Sequence, residues 1–171
     1  RSVGLSYFSS LRGFSDATIK RFGLGYCPSL GHRMSDDARG AGYKEEFLLS
    51  TGLAIARESD GALRDRFYDR VIFPIHNISG RVVGFGGRTL RTDKKVAKYQ
   101  NSPESEIYNK RRELYGLFFA KKAIQQEDMA ILVEGYADVI SMHQAGVENV
   151  VASSGTSLTE EQIRLIFRFT S

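Results

Sequence analysis

Two carboxylates stand beside an apolar run in the segment AILVEGYADVI, which covers residues 130–140. Glu134 follows the strand-like run directly, and Asp138 comes four residues later, which is one helical turn. Burying a charge is unfavourable, so a carboxylate at the end of a buried strand needs a reason. In open α/β sheets ligands bind beyond the carboxyl ends of the strands, and carboxylate oxygens bind divalent cations. The pattern therefore predicts a metal site at Glu134 and Asp138.

A helix terminus offers a second explanation for one of these acids. An acid in the first turn complements the helix dipole, and for Asp138 this structural role and a functional role both stay open. Glu134 stands at a strand tip before Gly135, which favours function. The next apolar run ends in SSGTSLT (residues 153–159), whose small polar side chains allow close approach to a charged site.

A basic stretch from Arg88 to Arg112 contains eight Lys or Arg and three Asp or Glu, with Tyr99, Asn101 and Tyr108 interleaved. Basic groups contact phosphates, whereas aromatic and amide groups suit bases and sugars. The stretch indicates a nucleic-acid surface, with a solvated charged loop as the alternative. The preceding GFGGRT departs from the dinucleotide-binding fingerprint, because Thr89 occupies the third glycine position and no helix follows.

The composition is that of a globular chain with one or two domains: 171 residues, 42% apolar and 26% charged. The single cysteine, Cys27, excludes an internal disulfide and a multi-cysteine zinc site. The same low cysteine content suits a reducing cytoplasm, where we expect the protein. No apolar run approaches the ~20 residues of a membrane span, so we expect no membrane association. The first 127 residues hold 22 basic and 14 acidic residues, and the remainder holds 2 and 6. This segregation suggests a polyanion on one side and cations on the other.

Hydrophobic periodicity and turn residues predict an α/β fold. A helix starts after the N-cap Ser15 and stops at Gly23, and two β-branched runs flank NISG in a hairpin whose Pro74 indicates an edge or a bulge. Further helices are predicted over 44–54 and 113–126. From residue 129 onward the pattern reads strand, helix, strand, helix, as in a parallel sheet whose strands are buried.

Seven segments occur in an order that resembles one known family. They are LRGFS (11–15), RVIFPI (70–75), GRVVGFGGR (80–88), KYQNSPES (98–105), LYG (114–116), VEGYADV (133–139) and ASSGTSLT (152–159). With these segments the chain resembles the RNA-polymerase core of bacterial DnaG-type primases over nearly its whole length. The ordered set is far more specific than a glutamate after an apolar strand.

The resemblance implies a mixed α+β basic subdomain over 1–114 and a partial, truncated parallel α/β Toprim subdomain over 115–171. It implies the synthesis of RNA primers from ribonucleoside triphosphates on single-stranded DNA, by nucleotidyl transfer with Mg²⁺ or Mn²⁺. The family's zinc-binding module and the C-terminal domain that contacts the replicative helicase have no counterpart in the sequence.

The resemblance also assigns residue roles. Glu134 matches the family's catalytic glutamate, and Asp138 matches an acid near the metal and nucleotide. Further positions are expected to hold template or nucleotide, and Arg70 is included because it lies in a family motif. They are Arg12, Arg70, Arg88, Lys98, Tyr99, Asn101, Lys110 and Gly135.

One feature departs from the family pattern. Toprim sites pair the glutamate with an Asp-x-Asp motif on a later strand, and this sequence has none after Glu134. We therefore expect a fragment that binds single-stranded DNA without polymerising by itself. The alternatives are another Toprim enzyme, of the topoisomerase or nuclease type, and a non-catalytic single-strand binding module.

Overall fold

Three sheets, each with helices beside it, organise the chain in the computed structural model, which describes residues 3–93 and 95–171. The helices are α1 (Val3–Ser6), α2 (Asp16–Phe22), α3 (Arg33–Gly40), α4 (Glu45–Ser50), α5 (Leu117–Glu127), α6 (Tyr136–Gln144) and α7 (Glu160–Ile166), with a π-helical turn at Tyr7–Leu11 and a 3₁₀ turn at Lys110–Arg112. The strands are β1 (Gly25–Cys27), β2 (Ala54–Ala56), β3 (Leu63–Asp65), β4 (Arg70–His76), β5 (Val82–Thr89), β6 (Tyr99–Asn101), β7 (Ile131–Val133) and β8 (Val150–Ala152).

The largest sheet is antiparallel, with strand order β1-β4-β5-β6. Its centre is the predicted hairpin, in which the Asn77 side chain accepts hydrogen bonds from the backbone N–H groups of Ser79 and Arg81. Pro74 lies within the interior strand β4, but β1 pairs only with residues 70–72. The chain therefore leaves Pro74 paired on one side, and the strand register shifts just after Ile75.

Glycines with positive φ set several element boundaries. The Ser15 hydroxyl accepts a hydrogen bond from Thr18 N at 3.1 Å and Gly23 closes α2 with φ +67°, so both predicted ends of this helix are confirmed. The predicted helix over 44–54 is wrong beyond Ser50. Gly52 has φ +71°, and residues 54–56 instead pair with β3.

The predicted helix over 113–126 starts later than expected. Gly116 adopts φ +83°, and Tyr115 exchanges two backbone hydrogen bonds with Ala152. These bonds hold the chain extended up to the glycine, and α5 begins only at Leu117.

Strands β7 and β8 form the predicted parallel pair, with α6 between them and α7 after them. Strand β8 is fully buried, whereas Leu132 in β7 is 44% exposed, so the expectation of buried strands holds only for β8. The α/β fold class is confirmed. Within the described ranges, no helix has both the length and the apolarity to cross a bilayer.

An aromatic core joins the antiparallel sheet to the parallel pair. Phe73 on β4 packs edge-on against Phe8, with ring centroids 5.7 Å apart, and stacks on Tyr136 of α6 at 5.2 Å. All three side chains are at least 97% buried, and burying such a side chain contributes ~1.5–3 kcal/mol. The same core continues to β8, so the two sheets share one apolar interior.

Tyr136 reaches the antiparallel sheet at a glycine. A Cβ on Gly86 would lie 2.6 Å from the Tyr136 ring carbon Cζ, closer than real side-chain contacts allow. The absence of a side chain on β5 at this position therefore permits the close approach of α6 to the sheet.

We predict that Gly86→Ala lowers the free energy of unfolding by about 1–3 kcal/mol, because the added methyl overpacks the Tyr136 contact. Gly25→Ala is the matched control, since a methyl group on this glycine of the same sheet would meet no neighbouring atom within 4 Å. Equilibrium urea unfolding measures both variants. Equal stabilities of the two variants would contradict the packing described here.

Candidate active site

A cleft of about 300 Å³ opens where the carboxyl ends of β7 and β8 meet the antiparallel sheet. Both sheets contribute to its lining, which consists of Tyr99, Asn101, Glu134, Gly135, Tyr136, Asp138, Ser154 and Gly155. The position matches the rule that ligands bind beyond the carboxyl ends of parallel strands. The structure therefore brings both predicted carboxylates to the same cleft as two residues of the basic stretch.

Glu134 is exposed in this cleft, and its carboxylate has no hydrogen-bond or ion-pair partner among the described residues. It lies in the connection between the end of β7 at Val133 and the start of α6 at Tyr136. An acid at a strand end with no partner in residues 3–93 and 95–171 is free to bind a ligand from solvent.

Asp138 lies in the first turn of α6, and its Oδ2 accepts a hydrogen bond from Gly135 N at 3.2 Å. One carboxylate oxygen thus satisfies a backbone N–H at the helix start, which is the structural role that the sequence left open. The side chain is also exposed to the cleft, where its Oδ1 accepts no hydrogen bond from the described part of the chain. The two roles are therefore compatible in geometry.

The chemistry of Glu134 and Asp138 fits a divalent cation of the magnesium type. Such ions are commonly bound by one or two carboxylates together with substrate phosphates and water. Among the described residues no group of three or more His, Cys, Asp or Glu side chains is arranged to hold a metal. The two acids could therefore supply part of a coordination shell, with phosphate oxygens and water as the remaining ligands.

The loop after β8 has an unusual backbone. Ser154 has φ 61° and Gly155 has φ 82°, so two successive residues are left-handed. This conformation is uncommon for a residue other than glycine, and such strain concentrates at functional sites. The sequence indicated a close approach of this loop to the charged site, but it gave no signal for the strained serine.

The antiparallel sheet contributes Tyr99 and Asn101 to the lining of the cleft, and the basic side chains next to them on the sheet, which do not line it, form what we call the basic wall. Arg88 pairs with Tyr99 across β5 and β6, and Gly86 pairs with Asn101. The Tyr136 hydroxyl donates a hydrogen bond to Asn101 Oδ1, which connects α6 to β6. Burial raises the pKa of Tyr136, so this hydroxyl stays protonated as a donor.

Tyr7 is a component of this wall that sequence reasoning missed. The guanidinium carbons of Arg12 and Arg88 lie 5.4 and 5.1 Å from the centroid of its ring, and Arg12 Nε donates to its hydroxyl at 2.8 Å. Residues 7, 12 and 88 are brought together only by the fold. The Nε of Arg88 is buried without a hydrogen-bond partner among the described residues, which leaves a donor unsatisfied.

Lys98, which immediately precedes the edge strand β6, extends the basic wall. It is exposed, and its Nζ lies 6.0 Å from the ring centroid of Tyr99, which is itself 41% exposed. A cation next to an accessible aromatic face can engage a phosphate and a base at the same time.

Arg70 and Lys110 lie outside this cleft. Arg70 is 94% buried, and its Nη1 donates to the carbonyl oxygens of Gly87 and Lys98, each at 3.3 Å. Lys110 lies in the 3₁₀ turn, and its carbonyl oxygen accepts a hydrogen bond from Gln162 of α7. Both residues are among the positions expected to hold template or nucleotide, and neither lines the cleft.

The chain matches two described families. Residues 2–121 match the DNA primase catalytic core, N-terminal domain, and residues 128–170 match the Toprim domain. A DNA primase from Halalkalibacterium halodurans is 48% identical over 157 residues, which are 92% of this chain and 26% of that protein.

Solved primase structures share the fold. The RNA polymerase domain of Mycobacterium tuberculosis primase DnaG superposes with a TM-score of 0.89 at 35% identity, over 98% of this chain and 54% of that one. A DnaG primase catalytic domain bound to single-stranded DNA superposes with a TM-score of 0.83 at 38% identity, over 98% of this chain and 53% of that one.

The similarity extends over most of this chain but over only part of its relatives. The chain spans about a quarter of the length of the curated relatives it matches. Within that span, the family match over 2–121 covers more than half of the chain and the structural match covers nearly all of it. The resemblance inferred from sequence motifs is thereby confirmed: the chain belongs to the family of DnaG-type primase catalytic cores.

Proposed function

We propose that the intact protein synthesises short RNA primers on single-stranded DNA by metal-dependent nucleotidyl transfer, and that the chain described here binds the single strand without polymerising by itself. One observation carries the proposal: the Glu134 carboxylate, which has no partner within the described chain, shares a cleft with Tyr99 and Asn101 of the basic stretch. An acid that can hold a metal and a surface that can hold phosphates thus adjoin each other. The relatives named as DNA primases and the relative bound to single-stranded DNA support the same chemistry.

The proposed organisation follows the resemblance, with a basic subdomain over 1–114 and a partial Toprim subdomain over 115–171. Tyr115 supports this boundary, because it bonds through its backbone to Ala152 of β8. A replicative helicase would bind through a part of the protein outside this chain. We infer a cytoplasmic location, because the substrates proposed are chromosomal DNA and free ribonucleotides.

In the proposed reaction the 3′-hydroxyl of the primer attacks the α-phosphorus of a ribonucleoside triphosphate, and pyrophosphate leaves. Glu134, with Asp138 beside it, would hold Mg²⁺ or Mn²⁺. When bound, such an ion stabilises the negative charge that develops on the transferred phosphoryl group. The cations of Arg88 and Lys98 would neutralise template or nucleotide phosphates, and the ring of Tyr99 would stack on a base.

Substitutions at different residues should affect primer synthesis and single-strand binding separately. The Glu134 carboxylate has no partner within the described chain, so removing its charge should leave the fold and the basic wall intact. The arginines and lysine of the wall are not metal ligands, so neutralising them should act on DNA affinity first.

We predict that Glu134→Gln in the intact protein lowers the rate of primer synthesis at least about 100-fold, because the amide cannot replace an anionic metal ligand. Affinity for single-stranded DNA and the circular dichroism spectrum should stay unchanged. Glu127→Gln, an exposed glutamate at the end of α5, is the matched control. A primer yield near that of the control would refute the catalytic role of Glu134.

We predict that Arg88→Ala and Lys98→Ala each weaken binding of the intact protein to single-stranded DNA. Each should also reduce the slope of log affinity against log salt concentration by about one. Fluorescence anisotropy with a labelled oligonucleotide, repeated over a range of salt concentrations, measures both quantities. Lys122→Ala removes an exposed cation from α5 and should have no effect. Binding that ignores salt, or equal affinities in all three variants, would count against the basic wall.

A further inference from the structure

A second cavity, of about 220 Å³, lies on the opposite face of the antiparallel sheet from the cleft. Successive residues of a strand point to opposite faces. A side chain at Gly86 would meet Tyr136, whereas one at the next residue, Gly87, would meet Phe67 and Arg70. Arg70 therefore lies on the far face of the sheet. We call the cavity there the arginine cavity, after the residues that line it.

Four arginines line the arginine cavity, and they come from three parts of the chain. Arg64 lies on β3, Arg66 follows it, Arg70 begins β4, and Arg91 follows β5. Arg66 Nε donates to the carbonyl oxygen of Gly52 at 2.5 Å, and Arg64 lies over the ring of Tyr68 at 4.5 Å. These contacts fix the side chains without neutralising their charges.

The two aspartates of the cavity lining have other partners. Asp65 is 99% buried, and its carboxylate accepts hydrogen bonds from the backbone N–H groups of Met34 and Ser35 and from the Ser35 hydroxyl. Asp69 accepts a hydrogen bond from the Tyr26 hydroxyl at 2.8 Å. Of the four arginines, Arg91 forms an ion pair within the described part of the chain, with the exposed Asp93 at 2.8 Å. The lining therefore carries an excess of positive charge.

The burial of Arg70 without an acidic partner is the central observation about this cavity. Buried arginines are usually paired with an acid, yet no carboxylate lies within ion-pair distance of this guanidinium in residues 3–93 and 95–171. Its two hydrogen bonds to backbone carbonyls are long, and both involve Nη1. Burial lowers the pKa of Arg70, but an arginine stays protonated at neutral pH. Nε and Nη2 of Arg70 form no hydrogen bond within the described structure, and neither is a buried atom, so these donors stay accessible to a ligand that enters the cavity.

We infer that the arginine cavity binds a phosphate or diphosphate group. Guanidinium groups match phosphate oxygens with paired hydrogen bonds, and a desolvated arginine gains most from an anionic partner. The cavity is smaller than the ~300–1,000 Å³ typical of pockets for whole small molecules, so it suits the anion rather than a complete nucleotide. The ligand could be free pyrophosphate or the terminal phosphates of a nucleotide whose sugar and base remain outside.

Anion binding here does not depend on the proposed function, because the arginine cavity shares no lining residue with the cleft that holds Glu134. A failure of primer synthesis in Glu134→Gln and a failure of anion binding in the arginine cavity are therefore separate results.

Isothermal titration of the intact protein with pyrophosphate, in EDTA to remove divalent metals, tests the inference. Arg70→Met should weaken binding at least about tenfold, since it removes charged hydrogen bonds to the anion while keeping an unbranched apolar stem in the buried position. If that variant does not fold by circular dichroism, Arg64→Ala or Arg91→Ala takes its place, because both side chains are exposed at the rim. Arg57→Ala, an exposed arginine outside the cavity that pairs with Asp60, should bind like the wild type.

The same titration with ATP distinguishes free pyrophosphate from the terminal phosphates of a nucleotide as the ligand. Equal affinities for ATP and pyrophosphate would support the free anion, and tighter ATP binding that still depends on Arg70 would support a nucleotide. The inference is overturned if pyrophosphate does not bind, or if Arg70→Met and the rim variants bind it as tightly as Arg57→Ala. Loss of binding in Arg88→Ala to the same extent as in Arg70→Met would move the site to the cleft. Stoichiometric displacement of pyrophosphate by unphosphorylated single-stranded DNA would assign the cavity to a nucleic-acid backbone.

Discussion

The contact between Tyr136 and the antiparallel sheet is the interaction on which the rest of the arrangement depends. Tyr136 comes two residues after Glu134, so whatever fixes its ring also fixes the start of α6 and the glutamate before it. The ring stacks on Phe73, packs edge-on against Tyr115 and rests on Gly86, while its hydroxyl is bonded to Asn101. Buried aromatic contacts of this kind combine area burial with a specific geometry. Tyr136 therefore connects the start of α6 to the antiparallel sheet that lines the other side of the cleft.

The antiparallel sheet separates two electrostatic environments. On one face, the positive charges of Arg12 and Arg88 flank the ring of Tyr7. On the far face, Arg70 is enclosed with three other arginines, away from the carboxylates of the cleft. Strand alternation contributes to this division, since the neighbouring positions 86 and 87 of β5 face Tyr136 on one side and Arg70 on the other. The two phosphate-binding surfaces that we propose therefore lie on opposite faces of one short sheet.

Much of the fold and part of the site could be predicted from the sequence. The cap at Ser15, the stop at Gly23 and the carboxylate at the end of β7 each depend on local rules about neighbouring residues. The errors also have local causes: left-handed glycines at positions 52 and 116 ended one helix early and delayed another. Contacts between distant residues could not be predicted in this way. The meeting of Tyr7 with Arg88, and the placement of Arg70 on the far face, depend on strand register, which a single sequence does not reveal.

The central claim is that the Tyr136 contact holds Glu134, the proposed metal ligand, next to the antiparallel sheet, and a double-mutant cycle on the rate of primer synthesis tests it most directly. The cycle compares Tyr136→Phe, Asn101→Ala and the double variant in the intact protein. The bond between the two side chains predicts that the double variant is no slower than the slower of the two single variants, since either substitution removes the shared hydrogen bond. Losses that multiply in the double variant would show that the residues act independently, and would contradict the account.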